Sequence, residues 1–257
     1  MNVFETEKIQ NKIQGLEDHI QGVLNGQMFS IPELAARDVE VKEPLQHPPK
    51  KGLSSKEGQA RLLHDLASIE LQAMELALRT LTEYHKEIKG TKYLDLLVQL
   101  VLSERSHLQM CVNGIQELGF QWGDWPVHLA LWKSAGPEDS LIDRVFIVHR
   151  YLEGSGLDAA DTLLRRLSGV NGKHLDTIVK TISDEEMDHV QFGSRWFFDL
   201  CRVSKLDADT IFRETLQKVR IKLPKRLEPI NSALRTKALF SEAEIDTLRK
   251  YQKETSL

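Results

Sequence analysis

The sequence predicts an all-α protein built on a four-helix bundle with one long crossover, and three observations lead there. Glu-x-x-His occurs twice, as Glu104-Arg105-Ser106-His107 and as Glu186-Met187-Asp188-His189. A lone glutamate in an apolar helical setting precedes each: Glu70 lies 34 residues before Glu104, and Glu153 lies 33 residues before Glu186. A long connection, from Phe120 to about Ser140, separates the two halves, and loops of that length usually have a purpose. Nearly equal arms imply two helical hairpins. If the second and third helices run the same way, the connection must recross the bundle.

The elements follow in order. Ile9, Ile13, Leu16, Ile20 and Val23 form one helical stripe, which Asn25-Gly26 should end. Pro32, Pro44, Pro48 and Pro49 break any helix over residues 29–56 and predict an ordered strap. Ser54-Ser55 supplies an N-cap for the first bundle helix, about 57–86, in which Leu63, Leu66, Ala67, Ala73, Met74, Ala77 and Leu81 share a face with Glu70. The second helix, about 92–118, carries Leu97, Leu100, Val101, Glu104, His107, Leu108, Cys111 and Ile115 on one face and should stop at Gly119. The third begins near Ser140 and holds His149 and Glu153. Gly154 and Gly156 within it predict a kink, a bulge or a close helix contact, and Asn171-Gly172 should end it. The fourth, about 173–203, presents Val179, Ile182, Glu186, His189, Val190, Gly193 and Phe197. A further helix is expected over 208–220, and the capping box Ser241-Glu242-Ala243-Glu244 opens a last one. No strand is predicted. The chain divides into an N-terminal helix and strap (1–55), the bundle (56–203) and a C-terminal helical extension (204–257).

With 41% hydrophobic and 28% charged residues, a chain of this length can bury a sizeable core. A net charge of −4 gives no general attraction to nucleic acid or to an anionic membrane. No apolar run approaches the roughly 20 residues of a membrane span, and the first residues lack a secretory pattern. Cys111 and Cys201 sit in apolar helical stretches and read as buried free thiols, so a cytoplasmic location is expected.

The chemistry is read from the acids. Four carboxylates on apolar stripes are costly to bury without compensating charge. The bundle stripes place no basic residue beside these acids, except Arg150 on the third helix. Two divalent cations would balance four carboxylates. Glu and His at i, i+3 share a helix face and can reach one ion. The expected ligands are Glu70, Glu104, His107, Glu153, Glu186 and His189. Oxygen and nitrogen donors without thiolates suit two iron ions, with manganese or a mixed Mn/Fe pair as alternatives. Asp184, Asp65 and Tyr151 are candidate acceptors for the histidines' second N–H, and His149 is either a site residue or a core histidine. Trp125, Trp132 and Trp196 read as packing residues. Lys218, Arg220, Lys222, Lys225 and Arg226 read as a solvated basic face.

His64…Ile69-Glu70-Leu71…Ala73, Glu104…His107, Gly123-Asp124-Trp125-Pro126…His128…Leu131-Trp132, Leu152-Glu153…Gly156-Leu157-Asp158 and Asp184-Glu185-Glu186…His189-Val190…Gly193…Arg195-Trp196-Phe197 together resemble one pattern. It is that of an uncharacterised bacterial family of the ferritin-like superfamily, domain of unknown function 455, over about residues 55–202. The resemblance implies a ferritin-like bundle with a di-iron centre at the six residues above, and no established substrate. Ser68 and Ser155 depart from the pattern, standing where a larger polar residue and a longer, usually basic one are expected. More distantly, the layout is similar to a di-iron hydroxylase that modifies tRNA, an analogy at the level of fold.

The expected activity is oxidation or hydroxylation of an unknown substrate by O2, with an external electron donor, since the sequence carries no Rossmann fingerprint or P-loop. Residues 120–140 are the candidate lid or pocket wall. The alternatives are an iron-oxidising, iron-storing or peroxide-removing protein, and a metal-braced interaction protein without catalysis. No membrane or nucleic-acid partner is indicated, and the oligomeric state is left open. The N-terminal helix is expected to pack on its own chain.

Overall fold

A computed structural model describes residues 1–170, 173–223 and 228–254, with side chains withheld from description at 173 and 254. Over the described residues the chain is helical with bundle-like packing, and its sheet-type pairing is an isolated parallel bridge between Val41 and Val127. No helix among these residues is long and apolar enough to cross a membrane. The chain forms two compact units, Met1–Lys133 with Val170–Ile178, and Ser134–Gly169 with Val179–Leu257.

The first unit is organised on a hairpin of α3 (Lys56–Ile88) and α4 (Lys92–Glu117), which follow two short helices, α1 (Ile9–Gln14) and α2 (Leu16–Leu24). Local chemistry sets the ends of the hairpin. The Ser55 hydroxyl accepts the Gly58 N–H, and the Thr91 hydroxyl accepts the Tyr93 N–H. Gly90 and Gly119 take positive φ of 77° and 88°, values that a side chain disfavours. Leu63, Ala67, Met74, Ala77 and Leu81 of α3 and Leu97, Val101, Leu108 and Ile115 of α4 are fully buried. Each leucine among them contributes about 1.5–3 kcal/mol by leaving water.

The single N-terminal helix expected from the apolar stripe is instead two, α1 (Ile9–Gln14) and α2 (Leu16–Leu24), with the break at Gly15. Glycine's low helix preference favours a break there, and the Met1 methyl, 1.6 Å from where a Gly15 Cβ would stand, leaves no room for a side chain. These helices pack on their own chain. Lys12 is buried, donating to the Val3 carbonyl (2.8 Å) and to Glu75 of α3 (2.8 Å), while Arg37 donates to both Glu75 oxygens (2.8 and 2.6 Å). Burial holds the Lys12 amine below its usual range despite the opposing charge of Glu75. The strap follows the crossover loop: Lys42 N–H donates to Val127 O (2.8 Å), Val127 N–H to Glu40 O (2.9 Å), and the Trp132 indole to Glu33 O (2.9 Å).

The second unit contains α5 (Leu141–Phe146), a π-helical turn (Ile147–Leu152), α6 (Glu153–Leu167), α7 (Lys173–Val203) from Val179 onward, α8 (Ala208–Lys222), α9 (Ser232–Lys237) and α10 (Glu242–Glu254). The predicted Asn171-Gly172 terminator lies outside the described residues. Ser140 and Asp143 form a capping box that opens α5. The box predicted at α10 is present, Ser241 N–H donating to Glu244 Oε2 (2.8 Å) and Glu244 N–H to Ser241 Oγ (3.1 Å). The predicted distortion of the third helix sits upstream of the glycines, in the π turn. Gly154 does meet a neighbour, Arg235, but nothing lies within 4 Å of a Cβ placed at Gly156. Both cysteines are free and buried.

The basic run on α8 is partnered: Lys218 donates to Asp143 (2.8 Å), Lys222 to Glu138 (2.7 Å) and Asp139 (3.2 Å), and Arg220 lies over Tyr251. Lys225 and Arg226 lie outside the described residues.

Candidate metal centre

Each unit holds half of the predicted ligand set. In the first, α3 delivers Glu70 and α4 delivers Glu104 and His107 from the faces that also carry the hairpin's apolar stripe. His107 Nδ1 stands 3.5 Å from Glu70 Oε2 and 3.5 Å from Glu104 Oε2. In the second, α7 places His189 Nδ1 3.5 Å from Glu186 Oε1, and Glu153 is buried at the start of α6. Glu104 and His107 are 0% exposed and the other four no more than 7%. Carboxylates do not normally stay so dry without a cation.

The donor set fits a metal. Two ligands each about 2.1 Å from an ion stand roughly 3.0–3.5 Å apart, and the histidine–carboxylate separations of 3.5 Å are compatible with that spacing. In each half the i, i+3 spacing puts Nδ1, not Nε2, toward the acid. The group in the first unit contains two carboxylates and one imidazole, so one dication would balance its formal charge. Burial, aided by the Glu70 charge, pushes the Cys111 thiol well above its usual range. Among the described residues, Glu104 with His107 in the first unit and Glu186 with His189 in the second are each a buried acid–imidazole pair of donor types that hold metal ions.

The surrounding residues depart from several expectations. Asp184 is exposed and pairs with Lys180 (2.6 Å), so it orients no ligand histidine. Asp65 is engaged by Arg61 (3.0 Å) and Lys50 (2.6 Å), and the Tyr151 hydroxyl hydrogen-bonds Tyr251. Arg150 is no counter-ion for the glutamates, because it forms a buried pair with Glu244 (2.8 Å). His149 is a packed core imidazole beside Phe192 and Trp196, and burial lowers its pKa to about 3, so it stays neutral. Ser155 Oγ turns back to Tyr151 O (2.7 Å). Ser68 is buried, and its carbonyl accepts from Gln72 (3.0 Å).

Sequence reasoning passed over His64 as a structural residue. It accepts the Gly123 N–H at Nε2 (3.1 Å) and stacks on Trp122, so it fixes the crossover loop to α3. Trp122 also donates to Asp38 (2.9 Å), and Trp132 N–H to Gln72 (3.2 Å). Such bonding suits a fixed wall better than a moving lid. A small cleft of about 20 Å³ in the second unit is lined by Tyr151, Ser155, Asp158, Arg235 and Tyr251 among others, and by none of the six acids and histidines.

Fold and site together define a helical protein with paired carboxylate–histidine half-sites. The chain belongs to the family described as "Protein of unknown function (DUF455)", whose profile matches residues 4–246. It is similar to an "Uncharacterized protein" of Haemophilus influenzae, 29% identical over 252 residues, which spans 94% of this chain and 83% of the relative. No solved structure matches.

Proposed function

We propose that this protein is a carboxylate-bridged di-iron oxidoreductase that uses O2 to oxidise or hydroxylate a substrate. One ion is held by Glu70, Glu104 and His107, the other by Glu153, Glu186 and His189, in a ferritin-like bundle. The observation that supports this reading is a buried Glu-x-x-His pair found twice, Glu104 with His107 and Glu186 with His189, each with the imidazole 3.5 Å from the carboxylate, and Glu70 joining the first. Three protein donors leave coordination positions open, as catalytic sites do, whereas a purely structural ion is usually closed off by four. Hard oxygen donors favour iron or manganese over thiolate-seeking metals.

When bound, the ions would supply electrons for the reduction of O2. The chain's own residues do the rest. The histidines would offer Nδ1 to the ions, the glutamates would hold them, and the apolar stripes of α3 and α4 keep water from the first group. Reduction of O2 to water takes four electrons. Hydroxylation draws two from the substrate, and a separate small or protein reductant supplies the other two.

The test is anaerobic loading of the metal-free protein with Fe(II), metal analysis, and rapid mixing with O2 under absorbance detection. Two irons per chain are expected, with an O2-dependent absorbance change that Glu104→Ala abolishes. Iron accumulating far beyond two per chain would assign the protein to iron handling instead. Two bound irons inert to O2 would leave only a brace and overturn the redox reading.

A further inference from the structure

We propose that Arg150, through its ion pair with Glu244, is a positioning residue that sets where Glu153 points; this rests on the reading of Glu153 as a metal ligand. The π turn Ile147–Leu152 ends one residue before Glu153. A π turn carries about one residue more than the α-helix it interrupts, so closing it would rotate Glu153 by roughly 100° against the upstream helix. Such turns are rare and need support from their surroundings.

Arg150 lies within the turn and is fully buried. Its guanidinium grips both Glu244 oxygens (2.8 and 2.9 Å), reaches Ser194 Oγ (3.2 Å) and Leu239 O (3.3 Å), and stands 4.5–5.3 Å from the ring centres of Phe197, Phe198, Phe212 and Phe240. Glu244 is itself fixed by its capping box with Ser241. The same helix face continues four and eight residues on. Gly154 leaves room for the Arg235 guanidinium, 2.1 Å from where its Cβ would be, and Asp158 accepts from Arg235 (3.0 and 2.7 Å). The segment from Arg235 to Glu244 thus holds the helix on both sides of Glu153. A buried pair of this kind adds little net stability over apolar side chains of similar volume, whereas its directional bonds do fix register.

The experiment is titration of the metal-free full chain with Co(II), whose visible absorption reports coordination number and geometry. Two ions are expected in the parent. Glu244→Gln and the milder Arg150→Lys should hold one ion as before and bind the other at least tenfold more weakly, with an altered visible spectrum. Where Glu244→Gln does not yield folded protein, Arg150→Lys gives the same readout. Leu216→Ala, a core truncation in α8, controls for general loss of stability. Unchanged second-ion affinity and spectrum in folded Arg150→Lys would overturn the proposal, as would an equal weakening in Leu216→Ala. Two-ion binding that survives Glu153→Ala would show instead that the ligand assignment is wrong, and the proposal would fall with it.

Discussion

Gly193→Ala asks whether the close approach of α7 to the π turn is real. A Cβ at position 193 would stand 1.7 Å from the His149 carbonyl oxygen and 2.4 Å from its carbon. A carbon and a carbonyl oxygen make ordinary contact at about 3.3 Å, so α7 or the turn must retreat by roughly 1.5 Å. The obstacle is backbone, which cannot rotate away, and the cost lies near the top of the 1–3 kcal/mol typical of overpacking. Helix propensity returns about 1 kcal/mol, since alanine replaces glycine inside a helix. The net loss is about 2 kcal/mol, or a fall in Tm of roughly 4–8 °C for a chain of this size. Gly156→Ala is the matched control: nothing lies within 4 Å of its Cβ, so propensity acts alone and Tm should rise by about 2–4 °C. Differential scanning calorimetry of the two variants therefore reads opposite signs. A Gly193→Ala protein as stable as Gly156→Ala would refute the close approach and with it the account of how the π turn is held.

Three other outcomes are expected. Burial lowers the pKa of His19 and His64 to about 4 from the usual 6.5, and each accepts a backbone N–H, from Val3 and Gly123 respectively. The unfolded chain then binds more protons between these values, so stability is full above pH 6.5 and falls toward pH 4, by roughly 3 kcal/mol per histidine at the limit. Urea melts across that range should show the slope, and His64→Gln should flatten it; a pH-independent midpoint would contradict the buried neutral imidazoles. Glu75→Leu strands the buried Lys12 and Arg37 cations and should cost about 3–5 kcal/mol by urea denaturation, with restoration of much of that loss by adding Lys12→Met; no recovery in the double variant would mean the pair is not coupled. Metal present at a hundred times its Kd should raise stability by about 2.7 kcal/mol, and a chelator should remove that increment from the parent but find little to remove in Glu104→Ala; a chelator-insensitive Tm would count against a bound ion.

Local chemistry made much of the fold readable. The bounds of α3, α4 and α7 follow from Ser55, Gly119 and unbroken 3.6-residue apolar periodicity, which depend on near neighbours in the chain. The Ser241–Glu244 box was legible for the same reason, whereas α9 was missed because six residues offer too little pattern. The six candidate ligands stood out through their spacing and the apolar faces that carry them, and each is buried. Their surroundings did not, because a side chain's partner is chosen across the fold: Asp184 turned to Lys180, and Arg150 to Glu244.

The amino-acid order by itself determined where the long helices α3, α4 and α7 run and which acids and imidazoles face inward, since capping and amphipathic periodicity act over a few residues. Only the tertiary structure decided that the third helix widens into a π turn, that Gly193 meets the His149 carbonyl, and that Glu75 and Glu244 neutralise buried cations from segments 63 and 94 residues away. Those features arise from packing between distant segments, where the cost of an unpaired charge or an overlapping atom outweighs any local preference.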